Sequence, residues 1–173
     1  MVERESGGGA VLAGPWLVSA SVVLPHGHPW VSYGLIDSYR RLGLLHVAVL
    51  KGFGVSAHAL PPHELPHSND ACGTRVVDWA CFGGLSPWEL VNVEGRKLVG
   101  LAQRKRQTGV LLVAGTLIGA TDWPLLCDVM GHTGDQARLR RSTVSAEEIA
   151  GCPIDPEQFA SDLMGSLERE FSA

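Results

Sequence analysis

No two of the four cysteines, Cys72, Cys81, Cys127 and Cys152, stand at CxxC spacing. That scatter fits neither a zinc cage nor a small disulfide scaffold, and free thiols in a reducing cytoplasm are the simplest reading. Long apolar runs are also missing: none approaches the ~18–20 residues that a membrane span needs. The start, Met1 to Gly7, lacks the basic end and apolar run of a signal peptide. Basic residues are few, 14 Lys and Arg against 18 Asp and Glu, and a net charge of -4 argues against a nucleic-acid binder. The one basic cluster, Arg104-Lys105-Arg106, is too small to change that. What the chain does have is 45% hydrophobic and only 18% charged residues, a globular balance. Its 173 residues suit a single domain, 1–173.

Along the chain, Ala10 to Pro15 and Trp16 to Leu24 read as two buried strands joined by a Gly-Pro turn. Between Gly34 and Gly54 the period changes. Leu35, Tyr39, Leu42, His46, Val49 and Phe53 recur at three- and four-residue steps, which predicts a helix with one apolar face. Val55 to Leu60 is a short strand candidate, followed by a Pro-rich loop from Pro61 to Thr74. Trp88 to Val93, Arg96 to Gln103 and Val110 to Ile118 then form a three-strand meander, with turns at Glu94-Gly95 and at Arg104 to Gly109. Thr121 to Met130 and Asp155 to Phe171 are the closing helices, with a smaller one opening at Ser145. Strands and helices are grouped rather than alternating, so the expected class is α+β with a mainly antiparallel sheet and packed helices.

Three stretches carry chemistry. A glycine run, Gly7-Gly8-Gly9, at the mouth of a strand lets backbone N–H groups approach a ligand closely; a flexible tail would look the same. Cys81 precedes Phe82 and the stretch Ser86-Pro87-Trp88-Glu89-Leu90. Its thiolate would be a strong nucleophile able to form a thioester, and burial as a structural thiol is the alternative. Lys97 follows a turn on an apolar strand, where most lysines are simply solvated. The histidines form no site: His58, His63 and His67 lack HxxxH spacing and read as solvated, and His26 and His28 flank Gly27 in a turn.

Taken in order, Arg4-Glu5-Ser6-Gly7-Gly8-Gly9-Ala10-Val11, Cys81-Phe82 with Ser86 to Leu90, and Gly95-Arg96-Lys97-Leu98-Val99-Gly100-Leu101-Ala102-Gln103 with Gly115-Thr116-Leu117 resemble one family. That family is the biotin/lipoate protein ligase superfamily, on its lipoate–protein ligase A and octanoyltransferase side. The resemblance runs from about Arg4 to the C-terminal helix. It implies that family's catalytic-domain fold and the attachment of a lipoyl or octanoyl group to a lysine of a lipoyl carrier domain. Lys97 matches the lysine beside the acyl carbonyl, where a fixed ammonium stabilises developing negative charge. Cys81 matches the acyl-carrying cysteine of the octanoyltransferases. Arg4, Gly7, Gly8, Gly9, Gly100, Ala102, Gln103, Gly115 and Thr116 are the implied substrate-binding residues. Strict alternation puts Gly100 and Ala102 on one face of their strand and Val99 and Leu101 on the other. The implied partners are a lipoyl carrier domain or an acyl carrier protein, with ATP and Mg²⁺ required only of a ligase.

The chain also departs from the family. Its glycine block begins within the first ten residues, so the N-terminal strands and helix usual before it are not represented. A sheet edge left uncovered would be resolved by a partner chain, a homodimer or an incomplete gene product. Ala114 stands where many relatives carry histidine, a second histidine is replaced near Ala13, and Glu5 replaces a commonly neutral residue. These losses leave a second reading: a catalytically impaired or truncated homologue serving as an acyl-binding protein or partner subunit.

Overall fold

The computed structural model describes residues 9–65 and 76–172. Its frame is a five-stranded antiparallel sheet in the order β1-β5-β4-β3-β2. The strands are β1 (Leu17–Leu24), β2 (His58–Ala59), β3 (Leu90–Val91), β4 (Lys97–Arg106) and β5 (Gly109–Leu117). The helices are α1 (Pro29–Ser32), α2 (Leu35–Gly52), α3 (Trp123–Val129), α4 (Gln136–Ser142), α5 (Ala146–Ala150) and α6 (Pro156–Ser172). This mixed, antiparallel arrangement is the class the grouping of elements predicts.

Alternation along the strands gives the sheet two unlike faces. In β5, Val110, Leu112, Ala114 and Thr116 are all buried, while Leu111, Val113 and Gly115 between them are partly open. In β1 the residues in register behave the same way: Val18, Ala20, Val22 and Leu24 turn inward, and Ser19, Ser21 and Val23 are exposed. Helices α2 and α6 cover the inward face, α6 against β1 and α2 against β4. In α6 the inward residues are Phe159, Leu163 and Leu167, one per turn. Asp155 starts that helix by accepting the Glu157 N–H at 2.9 Å.

Helix α2 buries Tyr39, Leu42, His46 and Val49 as its period requires, but Leu35 lies 45% exposed at its first turn. It stops at Gly54, whose φ of +74° suits glycine. Gly43 lets α2 approach the Trp88 carbonyl, which a Cβ would strike.

Several element lengths differ from expectation, for local reasons. Only Ala10 of the first expected strand is paired, in a single parallel bridge to Ala80. The expected strands at Val55 to Leu60 and Trp88 to Val93 shrink to two residues each. Trp88 has a φ of +66°; pairing with β4 has stopped at Leu90, while the Trp88 N–H still donates to the Leu60 carbonyl at 2.6 Å. β4 instead runs three residues past Gln103, because Arg104, Lys105 and Arg106 pair with Leu111, Val110 and Gly109. Helices α1 and α4 have no apolar period in the sequence. α1 is started by His28, whose Nδ1 accepts the Trp30 N–H at 3.2 Å, so this histidine caps a helix rather than lying in a simple turn. His26 also has a partner, its Nε2 meeting the Arg106 carbonyl at 2.7 Å.

Candidate active site

The site is built where β3 leaves β4. Residues Asn92 to Arg96 make the turn before β4, held by the Asn92 side chain, whose Oδ1 accepts the N–H groups of Glu94 at 3.1 Å and Arg96 at 2.9 Å. Gly95, at φ +76°, is needed to close it. Arg96 then donates to the Thr143 carbonyl and pairs with Glu94 and Glu148, tying the segment between α4 and α5 to the start of β4. Lys97 is thereby placed at the first position of the strand.

A bulge decides which way Lys97 points. Leu90 pairs with Val99 but Val91 pairs with Lys97, so β4 carries one extra residue at this step. Strict alternation would send Lys97 to the same side as Val99. The bulge returns it to the Gly100 side: a Cβ on Gly100 would sit 3.3 Å from Lys97 Cε and 3.5 Å from Nζ. The lysine therefore lies back over its own strand.

Lys97 is not a solvated lysine. Its side chain is 3% exposed and its Nζ lies 2.7 Å from Glu89 Oε2. The same ammonium donates to the main-chain carbonyls of Cys81 at 3.0 Å and Gly84 at 2.9 Å, and stands 5.4 Å from the centre of the Phe82 ring. Glu89 is equally enclosed. Its Oε1 accepts the Leu101 N–H at 2.9 Å and its Oε2 accepts the Ser86 N–H at 2.7 Å. The Leu101 bond replaces a ladder bond that β3 does not make, since Trp88 has already turned the chain away. Sequence reasoning assigned Glu89 no role. Its proximity to Lys97 depends on that turn and on the bulge, neither of which shows in the residue pattern.

Cys81 is half-buried and unpaired with any other cysteine. Its N–H donates to the Ala10 carbonyl at 2.8 Å, and the Ala10 N–H donates to the Trp79 carbonyl. Gly9 packs so tightly on Trp79 that a Cβ there would overlap its carbonyl. The three sequence blocks thus meet in space: Gly9-Ala10 lies along 79–81, and Cys81 touches Lys97 through its own carbonyl. Arg4, Gly7 and Gly8 lie outside the described residues.

Of the remaining expected site residues, Gly100 and Gly115 are directly paired across β4 and β5, with Ser19 next in line on β1. Ala102, Val113 and Ser21 form the following row. These two rows make a strip of small residues beside Lys97, buried at Gly100, partly open at Gly115, Ala102 and Val113 and exposed at Ser19 and Ser21, with Phe82 and Leu17 approaching Gly115 at ordinary contact distance. Thr116 pairs with Val99 and Gln103 with Leu112, which sets both on the opposite, helix-covered face. Thr116 is 1% exposed there, and neither Thr116 Oγ1 nor Gln103 Oε1 has a hydrogen-bond partner. Ala114 also faces the helices, so its small apolar side chain takes nothing from the face beside Lys97.

Tyr39 and His46 on α2 are perturbed. Burial, with the negative charge of Glu89 and then Cys81 adding to it, pushes the Tyr39 phenol up to about 12. Burial pulls His46 down to about 4, so the ring is neutral, with Nδ1 2.8 Å from the Leu42 carbonyl and Nε2 without a partner. Among the described residues there is no cluster of three metal-ligating side chains, and no helix is long and apolar enough to cross a membrane. His63 is exposed, as a solvated loop histidine should be.

Comparison with known proteins agrees with this geometry. The chain is 36% identical to octanoyltransferase LipM of Kyrpidia tusciae over 168 residues, covering 94% of this chain and 59% of the relative. It is 30% identical to octanoyltransferase LipM of Brevibacillus brevis, covering 99% of this chain and 64% of that one. The chain therefore spans about three-fifths of the length of these relatives. In fold it resembles a lipoate-protein ligase A solved with bound ATP, at a TM-score of 0.60 and 19% identity over 96% of this chain and 56% of the other. A bi-partite lipoate protein ligase from Thermoplasma acidophilum gives a TM-score of 0.62 at 17% identity, over 96% and 55% of the two chains. Residues 1–168 match the family model for the lipoyl protein ligase A/B catalytic domain, and the chain belongs to that family.

Proposed function

We propose that this chain transfers an octanoyl or lipoyl group from an acyl carrier protein to a lysine of a lipoyl carrier domain, through a thioester on Cys81. The observation that carries the reading is the Lys97 ammonium, buried and fixed 3.0 Å from the Cys81 carbonyl beside a strip of small residues. The likeness to octanoyltransferases supports a transferase in preference to a ligase. Acyl activation then resides in the donor thioester, and ATP and Mg²⁺ are not required.

In the first half-reaction the Cys81 thiolate attacks the donor carbonyl, and Lys97 stabilises the oxyanion. The carrier thiolate leaves and takes up the proton that Cys81 gave up. In the second, the amine of the acceptor lysine attacks the Cys81 thioester. The amide forms, Cys81 leaves as thiolate, and the proton lost by the amine restores its thiol. Gly100, Gly115 and Ala102 keep this strip of the sheet low, so that an acyl chain crossing it would run beside Lys97 at Gly100 and beside Phe82 and Leu17 at Gly115. A cytoplasmic location goes with this reading, because a free catalytic thiol needs a reducing compartment. The test is a nucleotide-free incubation of the chain with octanoyl–acyl carrier protein and a lipoyl domain. An octanoylated lysine on the domain is expected. A reaction that runs only with octanoate and ATP would make the protein a ligase, and no product under either condition would overturn the reading.

A further inference from the structure

An ammonium has three N–H groups, and all three of Lys97's have acceptors: Glu89 Oε2, the Cys81 carbonyl and the Gly84 carbonyl. None is left over for an acyl oxygen. Lys97 can serve the acyl group only by giving up one of these bonds, and the three are not alike. The Glu89 contact is a charge-assisted bond between two side chains that are each 3% exposed, the hardest to break. The two backbone carbonyls are neutral acceptors, and one belongs to the cysteine that would carry the acyl group.

Glu89 is itself held from two further directions. Leu101 N–H of β4 occupies Oε1, and Ser86 N–H shares Oε2 with Lys97. With both oxygens engaged and the group shut from water, it is unsuited to take a proton from Cys81 or from an incoming amine. Its geometry suits a different task.

We propose that Glu89 is a positioning residue for the acyl-transfer step. It keeps Lys97 anchored over Gly100 while the ammonium exchanges the Cys81 or Gly84 carbonyl for the oxyanion. The inference rests on the proposed function, since it deepens the role of the same lysine. It also gives a reason for the left-handed Trp88. That turn brings the Glu89 carboxylate, rather than another β3 backbone group, against the Leu101 N–H.

The test compares wild type, Glu89→Gln, Lys97→Met and the double variant for acyl-adduct formation on Cys81 from octanoyl–acyl carrier protein. Iodoacetamide labelling of Cys81 and a thermal melt report folding. Glu89→Gln keeps the length of the side chain and an oxygen for Leu101, but loses the charge. Its expected effect is a fall in kcat of about 30-fold, with the donor KM within about threefold of wild type, against about 100-fold for Lys97→Met. The double variant should be no slower than Lys97→Met alone, because Glu89 acts only through Lys97. It also removes the uncompensated buried charge, so it keeps the comparison valid if Glu89→Gln folds poorly. A Glu89→Gln protein with wild-type kcat, or losses that multiply in the double variant, would overturn the inference while leaving the acyl-transfer reading intact. Wild-type protein that forms no adduct would overturn both.

Discussion

Gly100 shows how much of the proposed chemistry hangs on single atoms. A methyl group there would lie 3.3 Å from Lys97 Cε, closer than the lysine can accept without moving. Gly100→Ala should therefore leave the fold in place, at a cost of about 1 kcal/mol, and displace the ammonium. The expected result is about a tenfold slower transfer to Cys81 with unchanged Cys81 labelling, measured by single-turnover mass spectrometry. His46 makes a different kind of prediction. Its pKa falls from 6.5 to about 4 on folding, so between those values the unfolded chain binds the extra proton. Stability contributed by the neutral ring is complete above pH 6.5 and is lost as pH falls toward 4, by roughly 3 kcal/mol in total. Urea unfolding measured across that range should show the slope in the wild type and lose most of it in His46→Leu. An equal slope in both would place the acid sensitivity elsewhere.

At the scale of elements, β4 organises the site. It carries Lys97 and Gly100 over its bulge, continues as Ala102, and donates the Leu101 N–H to Glu89. The row Ala102, Val113 and Ser21 lies about 7 Å beyond the Gly100 row, two residues along the strands. An acyl chain leaving Lys97 in that direction crosses it. Ala102→Phe should raise the donor KM at least about tenfold by filling that space. Labelling of Cys81 by iodoacetamide, which needs no acyl groove, should be unchanged. Equal donor affinity in Ala102→Phe would show that the chain runs elsewhere.

Period and turn residues were enough to place α2, α6, β1 and the β3-β4-β5 meander, because each has one strongly buried face or a tight turn. The short helices α1 and α4 were not legible, since a helix of one or two turns is set by its tertiary contacts rather than by its own pattern. The site was half legible. The family resemblance pointed to Cys81 and Lys97, and to Gly100, Ala102 and Gly115, whereas the residue pattern alone left Lys97 a solvated strand lysine. Alternation counted within β4 and β5 could have removed Gln103 and Thr116, whose partners Leu112 and Val99 belong to the buried face. The sequence could not show the bulge that turns Lys97 round, nor the left-handed Trp88 that brings up Glu89.

Taken whole, the described residues form a sheet with one face covered by α2 and α6, and with Phe82 and Trp123, whose rings lie 6.4 Å apart, among the groups on the other. On the proposed chemistry, Cys81 and Lys97 stand next to a strip of small residues that widens toward Ala102, where two carriers would reach one thioester in turn. The chain's neighbours in fold speak to architecture alone, and its relatives in sequence to the family. Everything proposed for the molecule returns to the acyl group on Cys81. The most direct measurement is the intact mass of the chain after incubation with octanoyl–acyl carrier protein, followed by peptide mapping. The account predicts one octanoyl group, on Cys81, removable by hydroxylamine and absent from Cys81→Ala. Efficient octanoylation of a lipoyl domain by Cys81→Ala would contradict it.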